Sequence, residues 1–280
     1  MNRMYRMNRM NRMYRMYRTL LAAVTLAVSS VTASAETITV CASGCDYTSI
    51  NAAINAASDG DVIQLAAETY FEGQVIDTLG KAITLRGVLD KAGEPASVLD
   101  GAGSHRVLIC QSGEGTGTIF ERLVIRNGLA SGNFPDNSGG GMYNYNGSSP
   151  TLTNCTFEGN SADYAGGGMF NDSSSPTLTN CTFTSNSADY GSGMLNSSSS
   201  PILTDCTFTN NSAVYEGGGM CNYSSSPILT DCTFTNDSAQ YYGGGMYNYS
   251  SSPILTDCTF TSNSAQYYGG GMYNYSSSPI

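Results

Sequence analysis

The chain has 280 residues, with 12 Lys and Arg against 22 Asp and Glu, 32 Gly, 9 Cys and no Trp. Beyond Ala35 only six basic residues remain (Lys81, Arg86, Lys91, Arg106, Arg122 and Arg126) against all 22 acids, a net charge of −16. Such a polyanion is a poor partner for nucleic acid or for an anionic lipid surface, and the remaining length suits one elongated domain.

Residues 1–35 are predicted to be a secretory signal peptide. Arg3, Arg6, Arg9, Arg12, Arg15 and Arg18 precede an apolar run over residues 20–28, and Ala33-Ser34-Ala35 offers a small-residue cleavage site. The run is too short to span a bilayer. An Arg-rich, acid-free mitochondrial presequence is the competing reading, and the distinct apolar core and the Ala-Ser-Ala site favour export. No Cys sits at the predicted cut, so no lipid anchor is indicated. The expected location is extracellular or on the outer cell surface, with no transmembrane segment in the mature chain.

Residues 36–60 read as an N-terminal cap. Cys41 and Cys45 are close enough in sequence to close a small loop, as a disulfide or as two free thiols. Ile50, Ala53, Ile54 and Ala57 share one helical face, which predicts a short amphipathic helix over the open end of the first coil. Residues 61–138 follow as degenerate coils, with strand-sized runs at 61–65, 82–86, 97–100 and 123–126, each closed by a turn signal.

Residues 139–280 are a repeat. Cys155, Cys181, Cys206, Cys232 and Cys258 lie 26, 25, 26 and 26 residues apart, and Pro150 to Pro279 and Met142 to Met272 keep the same step. A fixed period of this size means stacked units that bury their apolar faces only against one another. Glycine triplets and Ser-Ser-Pro tracts mark turns, and the Thr, Ile, Leu, Tyr and Phe runs between them suit strands. In Leu255-Thr-Asp-Cys-Thr-Phe260, Cys258 and Phe260 share a face, while Leu255 is out of phase with them. A bend at Asp257, matched by Asn154, Asn180, Asp205 and Asp231, turns all three inward, because Asn and Asp tolerate left-handed backbone. The result is a parallel β-helix of about eight or nine turns at roughly 4.8 Å per turn. The five repeat cysteines form a column of buried thiols. Asn144, Asn171, Asn196, Asn222, Asn248 and Asn274 either hydrogen-bond along a column or merely close turns. The sequence stops inside a repeat, so a rod truncated at its C-terminus is expected.

Gly-Gly-Gly-Met followed by Cys-Thr-Phe-x-x-Asn resembles the repeats of polymorphic outer membrane proteins. The second motif stands at Phe157/Asn160, Phe183/Asn186, Phe208/Asn211 and Phe260/Asn263, with Asp237 in the fourth place after Phe234. Gly60-Asp-Val-Ile, Gly80-Lys-Ala-Ile-Thr-Leu and Leu99-Asp-Gly-Ala-Gly are similar to the opening of the pectin-lyase-like superfamily. These resemblances imply an all-β fold, a right-handed parallel β-helix with a short N-terminal capping helix.

The superfamily resemblance implies one kind of function, and the residues themselves suggest another. Lyases of that superfamily abstract a proton beside a uronate carboxylate with an Arg or Lys base and acid-held Ca²⁺. Here Lys81, Arg86, Lys91, Arg106, Arg122 and Arg126 are the only bases of that type, all in the early coils. Arg122 and Arg126 have opposite parity to Leu123 and Ile125 and read as solvent-side strand residues. His105 reads as a surface turn residue. Stacked Asp205, Asp231 and Asp257 would lie about 5 Å apart, a weak Ca²⁺ site; no other cofactor is expected. Tyr143, Tyr145, Tyr223, Tyr247, Tyr249, Tyr273 and Tyr275 should form outward columns, an aromatic stripe suited to a glycan or a cell-surface protein. The expected function is therefore non-catalytic adhesion or surface contact. A polysaccharide lyase or glycoside hydrolase is the alternative.

Overall fold

A computed structural model of the chain describes residues 34–280. The predicted signal peptide falls almost wholly outside the described residues. From Ala35 onward the chain forms a single unit, a parallel β-helix built from four sheets of nine, eight, eight and six strands. Each coil of the regular region contributes one strand to each sheet. One such coil runs through Met220–Tyr223, Ile228–Thr230, Thr233–Thr235 and Ser238–Ala239.

The Met and Phe strands keep one register from coil to coil: Met194 pairs with Met220 and Met220 with Met246, and Phe208 pairs with Phe234 and Phe234 with Phe260. Like therefore stacks on like. The core is columns of Met, Leu, Cys and Phe, with Met194, Leu203, Cys206 and Phe208 wholly buried in one coil. Phenylalanine rings from Phe157 to Phe260 lie nearly parallel, with centroids 4.7, 4.8, 4.6 and 4.6 Å apart. That separation is the spacing of adjacent strands, so the backbone ladder also sets the stacking distance of its side chains.

The corner before each Cys is left-handed as expected. Asn154, Asn180, Asp205, Asp231 and Asp257 have φ of 52, 52, 53, 54 and 52°. The turn brings Leu, Cys and Phe to one interior despite their broken alternation. The repeat thiols are free and the first four are buried, whereas Cys41 and Cys45 are disulfide-bonded.

The asparagines of the Met strands form a ladder. Asn144 donates through Nδ2 to Asn171 Oδ1 at 2.8 Å, and the pattern continues through Asn196, Asn222, Asn248 and Asn274 at 2.9, 2.8, 2.8 and 2.8 Å. Amides hidden from water must find partners inside the protein, and each rung supplies them to the next. The third glycine of each triplet is required by close approach. A Cβ on Gly193 would lie 2.4 Å from the Gly219 carbonyl oxygen, one coil away.

At the N-terminal end, Thr37–Val40 already belongs to the nine-stranded sheet, so residues 36–60 contain a strand as well as the cap. Helix Ile50–Ala56 buries Ile50, Ala53 and Ile54. Ser49 Oγ accepts the Ala52 N–H, and Glu72 accepts the Ile50 N–H at 2.6 Å. Lys81 Nζ donates to the carbonyls of Ile54, Asn55 and Ala57 at the other end. Both ends of the helix are thus closed by charges of the sign that its dipole favours.

Asn196→Ala leaves the Asn171 amide without its acceptor and the Asn222 carbonyl without its donor, both buried. Urea denaturation is expected to show a loss of roughly 2–4 kcal/mol. Cys206→Ala in the same coil, which removes one apolar atom, should lose about 1 kcal/mol.

Candidate functional site

Each coil closes with a corner between its Ala strand and the next glycine triplet, and this corner carries the surface aromatics. Tyr164, Tyr215, Tyr241 and Tyr267 occupy it, with Tyr190 between the first two, one place further along in register with Ala165 and Glu216. Their ring centroids are 5.4, 5.1, 5.7 and 5.2 Å apart. Tyr164 is 46% exposed and Tyr267 57%, and with Tyr215 and Tyr241 they present phenol edges and hydroxyls to water, while Tyr190 is half-buried. Beside it Tyr242 and Tyr268 stack at 5.9 Å.

The expected stripe is divided by this corner. Tyr143 and Tyr247 are buried, packed with Ile109, Phe170, Leu195 and Cys221 in a second apolar cluster outside the main core. Tyr223 and Tyr273 are half-buried against the same cluster. Tyr145, Tyr249 and Tyr275 are exposed, and Tyr249 stacks on Tyr275 at 5.4 Å. The cause is the glycine that opens each triplet. A Cβ on Gly217 would meet Cys221 Cβ at 2.7 Å, and one on Gly139 would meet Tyr143 Cβ at 2.9 Å. Backbone without side chains lies flat on the outer face of the Met strand and covers the first residue after Met. Strand alternation alone does not foresee this cover. The corner tyrosines carry a readable signal nonetheless, since they recur at 26, 25, 26 and 26 residues, the period of the cysteines.

The surroundings of the ladder are acidic. Burial pushes the Asp189 carboxyl up, aided by the charge of Asp163. Burial also raises Glu216, against the lowering effect of the Tyr223 hydroxyl that donates to it. Tyr223 is in turn pushed far up, first by burial. Asp205, Asp231 and Asp257 sit exposed at their corners. Among the described residues no group of three His, Cys, Asp or Glu side chains is placed to hold a metal ion.

A shallow cleft of about 510 Å³ lies farther toward the N-terminus, lined in part by Phe71, Asp100, Asn127, Leu129 and Ser161. Asp100 is its acid. Its carboxylate accepts the Ala102 N–H at 2.9 Å, Arg126 Nε at 2.8 Å and Asn127 Nδ2 at 3.1 Å. Burial raises its pKa, but these bonds outweigh it and the net shift is downward.

Two of the other basic candidates, Arg86 and Arg106, are engaged as supports. Arg86 pairs with Glu121, and Arg106 donates to the carbonyls of Pro135, Ser138 and Gly139 while lying 4.9 Å over the Tyr143 ring. Arg122 is not a strand residue. Its φ of 58° places it at the left-handed corner, one coil before Asn154. Lys91 is exposed, and half-buried His105 has Nδ1 2.8 Å from its neighbour's carbonyl. Among the described residues no helix is long and apolar enough to cross a membrane.

A family described as "Right handed beta helix region" matches residues 102–238 and 133–280. Among solved structures, pectin methylesterase PemA from Erwinia chrysanthemi is similar at a TM-score of 0.47 and 11% identity, over 87% of this chain and 89% of that one. No curated protein matches.

Because the Asp100 carboxyl titrates lower in the folded chain than in the unfolded one, its stabilisation is present above about pH 4 and is lost as pH falls through the folded value. Asp100→Ala is expected to lower Tm at pH 7 by roughly 5 °C and to flatten the acid limb of a Tm-against-pH profile.

Proposed function

The chain belongs to the right-handed β-helix family, and on that premise we propose that it is an exported surface protein that makes non-catalytic adhesive contacts through its tyrosine ladder. The observation carrying this reading is the run of Tyr164, Tyr190, Tyr215, Tyr241 and Tyr267 at near-constant spacing on one corner. Tyrosine offers a large, stiff contact surface with a hydroxyl at its tip, at low entropic cost of ordering. The columns beneath hold the rings in place before any partner arrives, and such preorganisation improves affinity. An extended glycan laid along the rod would meet an equivalent group at each coil, about 5 Å apart. Beside the ladder, Asp163, Asp189 and Glu216 disfavour a polyanionic chain, which points to a neutral or amino-sugar polymer.

The carbohydrate-active alternative rests on the cleft at Asp100. Glycoside hydrolysis needs two carboxyl groups flanking the bond, and Asp100 is already committed to Arg126 and Asn127. It is the weaker reading.

The test is binding of the full chain to a glycan array and to intact cells. Tyr241→Ala with Tyr267→Ala should weaken binding by about tenfold or more, with circular dichroism unchanged. Binding that survives this double substitution but is lost with Tyr249→Ala and Tyr275→Ala would move the site to the neighbouring column. Release of reducing ends or unsaturated uronates from a polyuronate panel would favour the enzyme reading instead.

A further inference from the structure

A second buried amide ladder runs along the corner after the Phe strands, and one of its rungs is an acid. The rungs are Asn160, Asn186, Asn211, Asp237 and Asn263, and the first four are inaccessible or nearly so. The asparagine rungs share a pattern. In each, Oδ1 accepts the backbone N–H of the preceding rung: Asn160 N to Asn186 at 3.0 Å, Asn186 N to Asn211 at 3.0 Å and Asp237 N to Asn263 at 2.8 Å. Each Nδ2 donates to a carbonyl of the preceding coil: Asn186 to Phe157, Asn211 to Phe183 and Asn263 to Phe234, at 3.0, 3.0 and 2.8 Å.

Asp237 reproduces the acceptor half of this pattern. Its Oδ1 takes the Asn211 backbone N–H at 2.8 Å and Asn211 Nδ2 at 2.9 Å. Its Oδ2 stands where the other rungs have nitrogen. Seen from the facing glycines, a Cβ on Gly141, Gly168 or Gly245 would be 3.0, 3.2 or 3.0 Å from Nδ2 of Asn160, Asn186 or Asn263. A Cβ on Gly219 would be 2.9 Å from Asp237 Oδ2. This oxygen is buried and has no hydrogen-bond partner. By the register of the ladder it faces the Phe208 carbonyl, the member of the Phe series whose rung has no amide to give.

An ionised Asp237 would set a bare oxygen against a carbonyl in a dry interior; a proton on Oδ2 makes it the donor that this place requires. We propose that Asp237 is held as a neutral carboxylic acid donating to Phe208, and that losing this proton weakens the rod at this coil, a pH-sensitive joint in the fold. Burial is the first cause of the upward displacement of its carboxyl, to about 7, against the lowering effects of the Asn211 and Thr235 hydrogen bonds. Ionisable groups on the elements packed around it do not offset the charge. Glu216 accepts the Tyr223 hydroxyl, the corner acids Asp205, Asp231 and Asp257 are exposed, and the thiols of Cys206, Cys232 and Cys258 are displaced upward. Tyr241 and Tyr242 follow on the next corner. No Lys, Arg or His occurs after Arg126.

The direction of the pH effect follows from linkage. An acid with a raised folded pKa gives a fold that is most stable below the unfolded value, near pH 4, and loses stability as pH rises through the folded value. One proton changes the opening equilibrium by at most about tenfold per pH unit. Asp237→Asn restores the donor and matches the other rungs. Hydrogen exchange at the Asp237 and Ser238 amides is expected to speed up between pH 4 and 7 in the wild type, beyond the intrinsic rate change, and to follow the intrinsic rate in Asp237→Asn. The variant should also have the higher Tm at pH 8. Parallel pH profiles for the two proteins would overturn the proposal. So would a carboxyl carbon signal for Asp237, in the selectively labelled wild type, that titrates near pH 4; this measurement needs no variant to fold.

Discussion

Everything in this rod depends on parallel strands stacking in register at one spacing. The backbone ladder repeats at the distance between strands, and side chains at equivalent positions inherit it. Rings of Phe157 to Phe260 stack at 4.6–4.8 Å because their strands do. The same geometry pairs each amide of the Asn144 to Asn274 ladder with its own copy one coil away. Asparagine suits this arrangement because it carries a donor and an acceptor at once, so a column of identical side chains satisfies itself. A column of aspartates cannot, which is why the substitution at Asp237 has a consequence that the acids at exposed corners do not.

Stacking also explains how a chain with short strands and many glycines builds a core. No single coil can bury its Met, Leu, Cys and Phe, but each neighbour covers the last. The triplet glycines are part of that economy. They let one coil's backbone rest on the next and let the corner fold over the outer face of the Met strand. A second apolar layer forms there from Tyr143, Phe170, Leu195, Cys221 and Tyr247, with Tyr190 of the corner packed partly against it. The second layer and the proposed contact surface therefore meet at this corner.

The early coils work differently, because their sequence does not repeat. There, charged side chains do what columns do later. Glu114, almost wholly buried, accepts from Thr78, Gly80, Ser112 and Ser148. Asp100 binds Arg126 and Asn127, and Lys81 closes the helix. Arg86 likewise pairs with Glu121. Arg106 supports a loop by three carbonyls and a ring face.

The period, the coil, the inward set of Met, Leu, Cys and Phe, the left-handed Asn and Asp corners and the helix over the first coil are all legible in the amino-acid order. These follow from local rules: alternation along a strand, backbone tolerance at one residue, and repetition that forces like onto like. Which tyrosines face water is settled by packing between distant parts of the coil. Alternation puts Tyr143 and Tyr247 outside the core, and it does so correctly, but outside the core is not outside the protein. Whether a second layer covers them depends on how closely the glycine corner approaches from a different part of the coil. The contrast between Asp237 and Asp257 has the same character. Both are aspartates at a place where other coils carry asparagine, yet one replaces a buried donor while the other turns a corner in water. Charge and hydrogen-bond demand are set by the enclosure around a residue, which only the folded coil supplies.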